Sequence, residues 1–220
     1  MFDIDIVELL LLIPAAMIAL CVHEYAHGYV AFRLGDPTAR SLGRLTLNPL
    51  RHLDPIGTLF MVIFRFGWAK PVPINPRYFK DPRKGMALTA AAGPIANLIM
   101  AFLGALLTKL TILFGNFVLD LYYSAFLLTF FSHLVQFFFL FHLLNVSYCV
   151  FNLIPLPPLD GSRIFYVFLP PKWYFKVMQH ERIIMIILMV ALWVGAFSGI
   201  LSTVTGFLSD ILFSLLFFIP

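Results

Sequence analysis

Residues 9–32 read LLLLIPAAMIALCVHEYAHGYVAF. An α-helix needs about 20 apolar residues to cross the hydrocarbon core of a bilayer, and this run is interrupted only by His23, Glu24 and His27. The residues before it are acidic (Asp3, Asp5, Glu8), and no charge-free spacer leads to a cleavage site, so it reads as a membrane span and not as a secretory signal. Composition agrees over the whole chain. Of 220 residues, 61% are hydrophobic and 12% charged, with a mean hydropathy of +0.93, against about 45–50% and about 25% in soluble proteins. So little charge cannot cover an aqueous surface. A soluble domain, a disordered chain and a disulfide-stapled secreted module are therefore excluded, and Cys21 and Cys149 lie inside apolar runs as small hydrophobes.

Outward from that span, the basic residues set the orientation. Ten of the 15 (Arg33, Arg40, Arg44, Arg51, Arg65, Lys70, Arg77, Lys80, Arg83, Lys84) lie within 33–84, and four more lie within 163–182. By the positive-inside rule both stretches are cytoplasmic. The net charge of +4 thus orients a multi-pass protein of the cell membrane and implies no nucleic-acid partner. Residues 33–55 form a basic loop, and 56–66 are too short to cross and read as a re-entrant segment. The proline-rich stretch 67–84 reads as an extended, β-like edge. A second span at 85–107 and an external loop at 109–120 follow. The stretch 121–169 must start outside and end inside, so it reads as one helix broken at 152–158 and resuming near Asp160, before a last span at 183–207. The expectation is an all-α helical bundle with four crossings, forming one domain over 1–220.

His23-Glu24-Tyr25-Ala26-His27 is an HExxH pattern. Residues i and i+4 share a helix face, so both imidazoles can reach one zinc ion while Glu24 points at the metal-bound water. Zinc lowers the pKa of that water to about 7 and polarises a carbonyl; Glu24 would take the proton and pass it to the leaving amine. Ionisable groups inside a span usually mark a functional polar interior. A catalytic zinc normally takes three protein ligands, and the candidates for the third are Asp160, His133, His142, His52 and Asp54. At a rise of about 1.5 Å per residue, His27 and His23 lie about 9 and about 15 Å inside the end of the first span at Arg33, and Asp160 about 14 Å deep if the resumed stretch is helical. Depth therefore favours Asp160. A helix-capping role for Asp160 stays open, as does loop shaping by His52 and Asp54 and helix packing by His133 and His142.

These motifs resemble the site-2 protease family of intramembrane zinc metalloproteases, peptidase family M50. His23-Glu24-Tyr25-Ala26-His27 is similar to its zinc helix, Asn152-Leu153-Ile154-Pro155-Leu156-Pro157-Pro158-Leu159-Asp160-Gly161 to its NxxPxPxLDG motif, and Gly93-Pro94-Ile95-Ala96-Asn97 to its GPxxN element. The loops around Asn48-Pro49 and Lys70-Pro71-Val72-Pro73 resemble the small bacterial and archaeal subgroup, without PDZ or CBS domains. The resemblance implies zinc on His23, His27 and Asp160, Glu24 as acid/base, and Asn152 as a holder of the substrate backbone or of the oxyanion. It implies cleavage of a transmembrane segment of another membrane protein near the cytoplasmic leaflet. Pro71, Val72 and Pro73 are read as an edge against which the unwound substrate pairs, and Asn97 as a helix-packing residue. A metal transporter using the same ligands, a catalytically silent regulatory protein, and a zinc protease acting on soluble peptides are the alternatives.

Overall fold

The computed structural model describes residues 6–57, 60, 69–170, 172, 176–177 and 179–219. Six helices of six residues or more are described: α1 (Ile6–Arg33), α2 (Pro82–Leu121), α3 (Ala125–Asn152), α4 (Asp160–Phe165), α5 (Glu181–Trp193) and α6 (Ser198–Ser214). α2 and α3 begin where their sequences can satisfy free amides. Asp81 caps α2 by accepting from Arg83 N and Lys84 N, with Pro82 in the first turn where no amide hydrogen is needed. Ser124 Oγ caps α3 by accepting from Leu127 N at 3.1 Å. At the other end, Pro155, Pro157 and Pro158 prevent α3 from continuing, and the chain turns over seven residues before α4.

α1, α2 and α3 are long and apolar enough to cross a membrane, and they pack on one another. Small residues make the close approach possible: Ala15 and Ala19 of α1 are buried against Phe141 of α3, as expected where helices associate in lipid through van der Waals contact. α6 covers α2 and α3 through Leu212, which meets Ala101 and Val146. His142 pins that contact. Its Nδ1 donates to Ala101 O at 2.8 Å and its Nε2 accepts from Ser209 Oγ at 2.7 Å. His142 is thus fully engaged in helix packing.

Three sequence expectations change. Residues 109–120 are not a loop, because α2 runs on as one helix of 40 residues, about 60 Å long. The apparent loop marker Lys109 donates its ammonium to Leu216 O and Ile219 O, carbonyls of the turns that follow α6, so a charged residue sits within the helix without breaking it. The expected last span is two helices of 13 and 17 residues, separated by a turn in which Gly195 has φ +75°. The proline-rich stretch forms no strand among the described residues: a single antiparallel bridge joins Leu53 and Ala69, and Pro76–Tyr78 is a 3₁₀ turn. Of the re-entrant segment 56–66, only Ile56, Gly57 and Phe60 belong to the described residues.

Candidate metal centre

His23 and His27 lie one turn apart on the buried face of α1, and Asp160 opens α4. Asp160 Oδ2 is 3.2 Å from the Nε2 atom of each histidine, and the two Nε2 atoms are 2.9 Å apart. Four ligands at about 2.0–2.1 Å from a tetrahedral zinc ion lie about 3.3 Å from one another, so the triangle is close to that a zinc ion requires. Among the described residues this is the one group of three such side chains that could hold a metal.

Hydrogen bonding decides what the three atoms present. His27 Nδ1 lies 2.7 Å from Thr89 O, a backbone carbonyl that can only accept, so Nδ1 carries the proton. His23 Nδ1 lies 2.6 Å from Asn97 Oδ1, and the same assignment holds there. In their neutral form, with the proton on Nδ1, both rings turn unprotonated Nε2 lone pairs toward each other and toward Asp160 Oδ2, a buried oxygen with no hydrogen-bond partner. Three electron pairs held about 3 Å apart in a buried site repel unless a cation lies between them. The donor set, two imidazoles and a carboxylate, suits zinc.

Gly93 of α2 makes room for the centre. A Cβ built there would lie 2.5 Å from His23 Cε1, His27 Cε1 and His27 Nε2, inside any tolerable contact. Gly93→Ala is therefore expected to push α2 away from α1 or rotate both imidazoles, lowering zinc content from one per chain to a small fraction by metal analysis. Gly161 serves the opposite side, where a Cβ would strike the backbone carbonyls of Leu153 and Ile154; its absence lets the turn fold tightly against α4 and carry Asp160 inward.

Glu24, one residue from the first histidine, accepts from Val72 N–H through Oε2 at 2.7 Å. That amide is the one backbone donor of Pro71-Val72-Pro73, since proline has none. The segment is clamped along its length. Arg44 donates to Lys70 O at 2.8 Å, Lys70 N donates to His52 O at 2.8 Å, and Asn75 N donates to Asp36 Oδ2 at 2.6 Å. Asp36 is fully buried and also accepts from Thr38 N. Asn152 ends α3, and its Nδ2 donates to Tyr148 O at 3.0 Å, which leaves its second amide hydrogen available. His52 donates from Nε2 to Thr46 O, and Asp54 accepts from Ile56 N and Gly57 N; both contacts shape the loop. Asn145, Thr89, Arg44 and Asp36 carried no local signal in the sequence, because each acts through a backbone or side-chain partner far along the chain.

Two buried histidines of the apolar helix α1, a carboxylate brought to them by α4 and a glutamate beside the first histidine form the donor set and base expected of a membrane zinc metalloprotease. The comparisons with known proteins agree: residues 11–196 match the pattern of peptidase family M50, and the chain belongs to that family. It is 44% identical over 179 residues to YwhC of Bacillus subtilis (strain 168), which bears a zinc-metalloprotease name, covering 81% of this chain and 78% of that protein. It is 31% identical over 158 residues to Rip2 of Mycolicibacterium smegmatis, also named as a zinc metalloprotease, covering 69% of this chain and 54% of that one. No solved structure matches it.

Proposed function

We propose that this chain is an intramembrane endopeptidase that cleaves a transmembrane segment of another membrane-anchored protein, the reaction of regulated intramembrane proteolysis. The observation that carries the reading is the buried triangle of His23, His27 and Asp160 set inside helices apolar enough to lie in lipid. A protease for soluble peptides gains nothing from a centre at that depth.

His23, His27 and Asp160 hold one zinc per chain. When bound, zinc polarises the scissile carbonyl and brings the pKa of a coordinated water to about 7. Glu24 takes the attacking water's proton on Oε1, the oxygen that Val72 N–H leaves free, and delivers it to the nitrogen of the leaving amine. Asn152 turns its unused amide hydrogen toward the substrate backbone or the developing oxyanion, where one donor in a dry site is worth about 3–4 kcal/mol. The substrate helix unwinds locally, because its carbonyls are otherwise engaged in intrahelical bonds. Pro71, Val72 and Pro73 form the rim against which that extended stretch lies, through carbonyl groups, since Glu24 holds the single amide hydrogen.

The three long apolar helices α1, α2 and α3 support a multi-pass protein of the cell membrane; in this reading the α5–α6 pair is the fourth crossing, 1–220 one domain and, from sequence alone, 56–66 a re-entrant element. The arginines and lysines at 33–84 orient the site toward the cytoplasm. The test is reconstitution in lipid nanodiscs with a single-pass protein whose transmembrane segment holds helix-weakening residues. Cleavage inside that segment, mapped by mass spectrometry, lost with a zinc chelator and regained with zinc, is the expected result. Cuts confined to extramembrane loops, or metal flux without cleavage in proteoliposomes, would overturn it.

A further inference from the structure

His23 and His27 are held by different means. His27 Nδ1 meets a backbone carbonyl, Thr89 O, whose direction no side chain can change. His23 Nδ1 meets the side-chain amide of Asn97, and an amide can be turned end for end to present a donor instead. Two acceptors bear on its direction: Ala19 O of α1 takes a long bond from Asn97 Nδ2 at 3.4 Å, and the shorter bond runs to a third helix. Asn145 of α3 donates from Nδ2 to Phe141 O at 2.8 Å. That carbonyl can only accept, so Asn145 must turn Oδ1 toward Asn97. Asn145 Oδ1 then accepts from Asn97 Nδ2 at 2.8 Å, which leaves Asn97 Oδ1 facing His23. All three side chains are buried, Asn97 and Asn145 completely, so water does not compete for these bonds.

We infer that Asn145 and Asn97 are positioning residues that set the His23 tautomer: a one-way chain of hydrogen bonds from Phe141 O keeps the proton on Nδ1 and the lone pair on Nε2. Turning the Asn97 amide end for end would place a donor against Nδ1, move the ring proton to Nε2 and close that nitrogen to a metal. The inference rests on the zinc reading of the centre. It extends that reading to a helix contributing no ligand, so the packing of α3 on α2 is read out in metal affinity.

The test measures zinc affinity of the full chain in detergent by chelator competition, with the visible spectrum of the cobalt-substituted protein as a second readout. Asn145→Leu is expected to weaken zinc binding about 10-fold and to alter the cobalt bands, within the about 10–100-fold range for loss of an outer partner. Adding Asn97→Asp is expected to restore affinity to within about threefold of the unsubstituted protein, since both oxygens of a carboxylate accept and direction no longer matters. A residue needed only for helix packing would not be rescued by placing a charge beside the leucine. Unchanged affinity and spectrum in Asn145→Leu, or a loss that Asn97→Asp does not restore in a variant with an unchanged unfolding temperature, overturns the inference. Absence of zinc binding in the unsubstituted chain would overturn the metal reading instead.

Discussion

Replacing Glu24 by glutamine is expected to lower the cleavage rate by about 10²–10⁴-fold, the usual contribution of general acid–base catalysis, while zinc stays at one per chain. Glutamine keeps the shape of the side chain, and its Oε1 can still accept the Val72 amide hydrogen that glutamate holds at 2.7 Å. The rim from Lys70 to Asn75 should therefore remain in place. What disappears is the basic oxygen. Single-turnover cleavage of a membrane substrate, paired with metal analysis of the same preparation, separates the two effects. A variant that retains zinc and full activity would remove Glu24 from the mechanism, and a transport protein using the same ligands has no requirement for this carboxylate.

Asp160→Ala is expected to remove stoichiometric zinc, with a loss of affinity larger than the about 10–100-fold that follows loss of an outer partner. Two imidazoles alone leave the site one protein ligand short. The competing role for Asp160, capping α4, predicts a different outcome. Leu159 occupies the cap position, no side chain makes a cap bond there, and Ser162 Oγ donates to Leu159 O. Alanine should therefore leave the unfolding temperature of the metal-free protein nearly unchanged and abolish the rise that added zinc produces through preferential binding to the folded state. A destabilised apo-protein that still takes up one zinc would return Asp160 to a capping role.

The membrane class and the pairing of His23 with His27 were legible because both are local. Charge scarcity is a sum over residues, and an i, i+4 pair shares a face on any α-helix. A polar residue in an apolar run does not by itself mark a boundary. Lys109 suggested a loop, yet its ammonium reaches carbonyls at 216 and 219 and lets α2 run through. Gly195, unremarkable among apolar neighbours, divides the last apolar stretch in two. The proline-rich segment has the composition of an edge but pairs with Glu24, Arg44 and Asp36, partners that no local pattern names.

By itself the sequence determined a helical membrane protein with two imidazoles and a carboxylate on one apolar helix, because periodicity and transfer free energy act over a few turns. Only the tertiary structure decided how those groups are used. Asp160 comes within 3.2 Å of both histidines because a proline turn separates α3 from α4, Gly161 lets that turn close on its own backbone and Gly93 leaves room for the imidazoles. Thr89 and Asn97 become partners of the imidazoles, and Asn145 the partner of Asn97, because α2 and α3 pack where they do. A hydrogen bond has a direction and a reach of about 3 Å, and only the packed chain settles which groups lie within it.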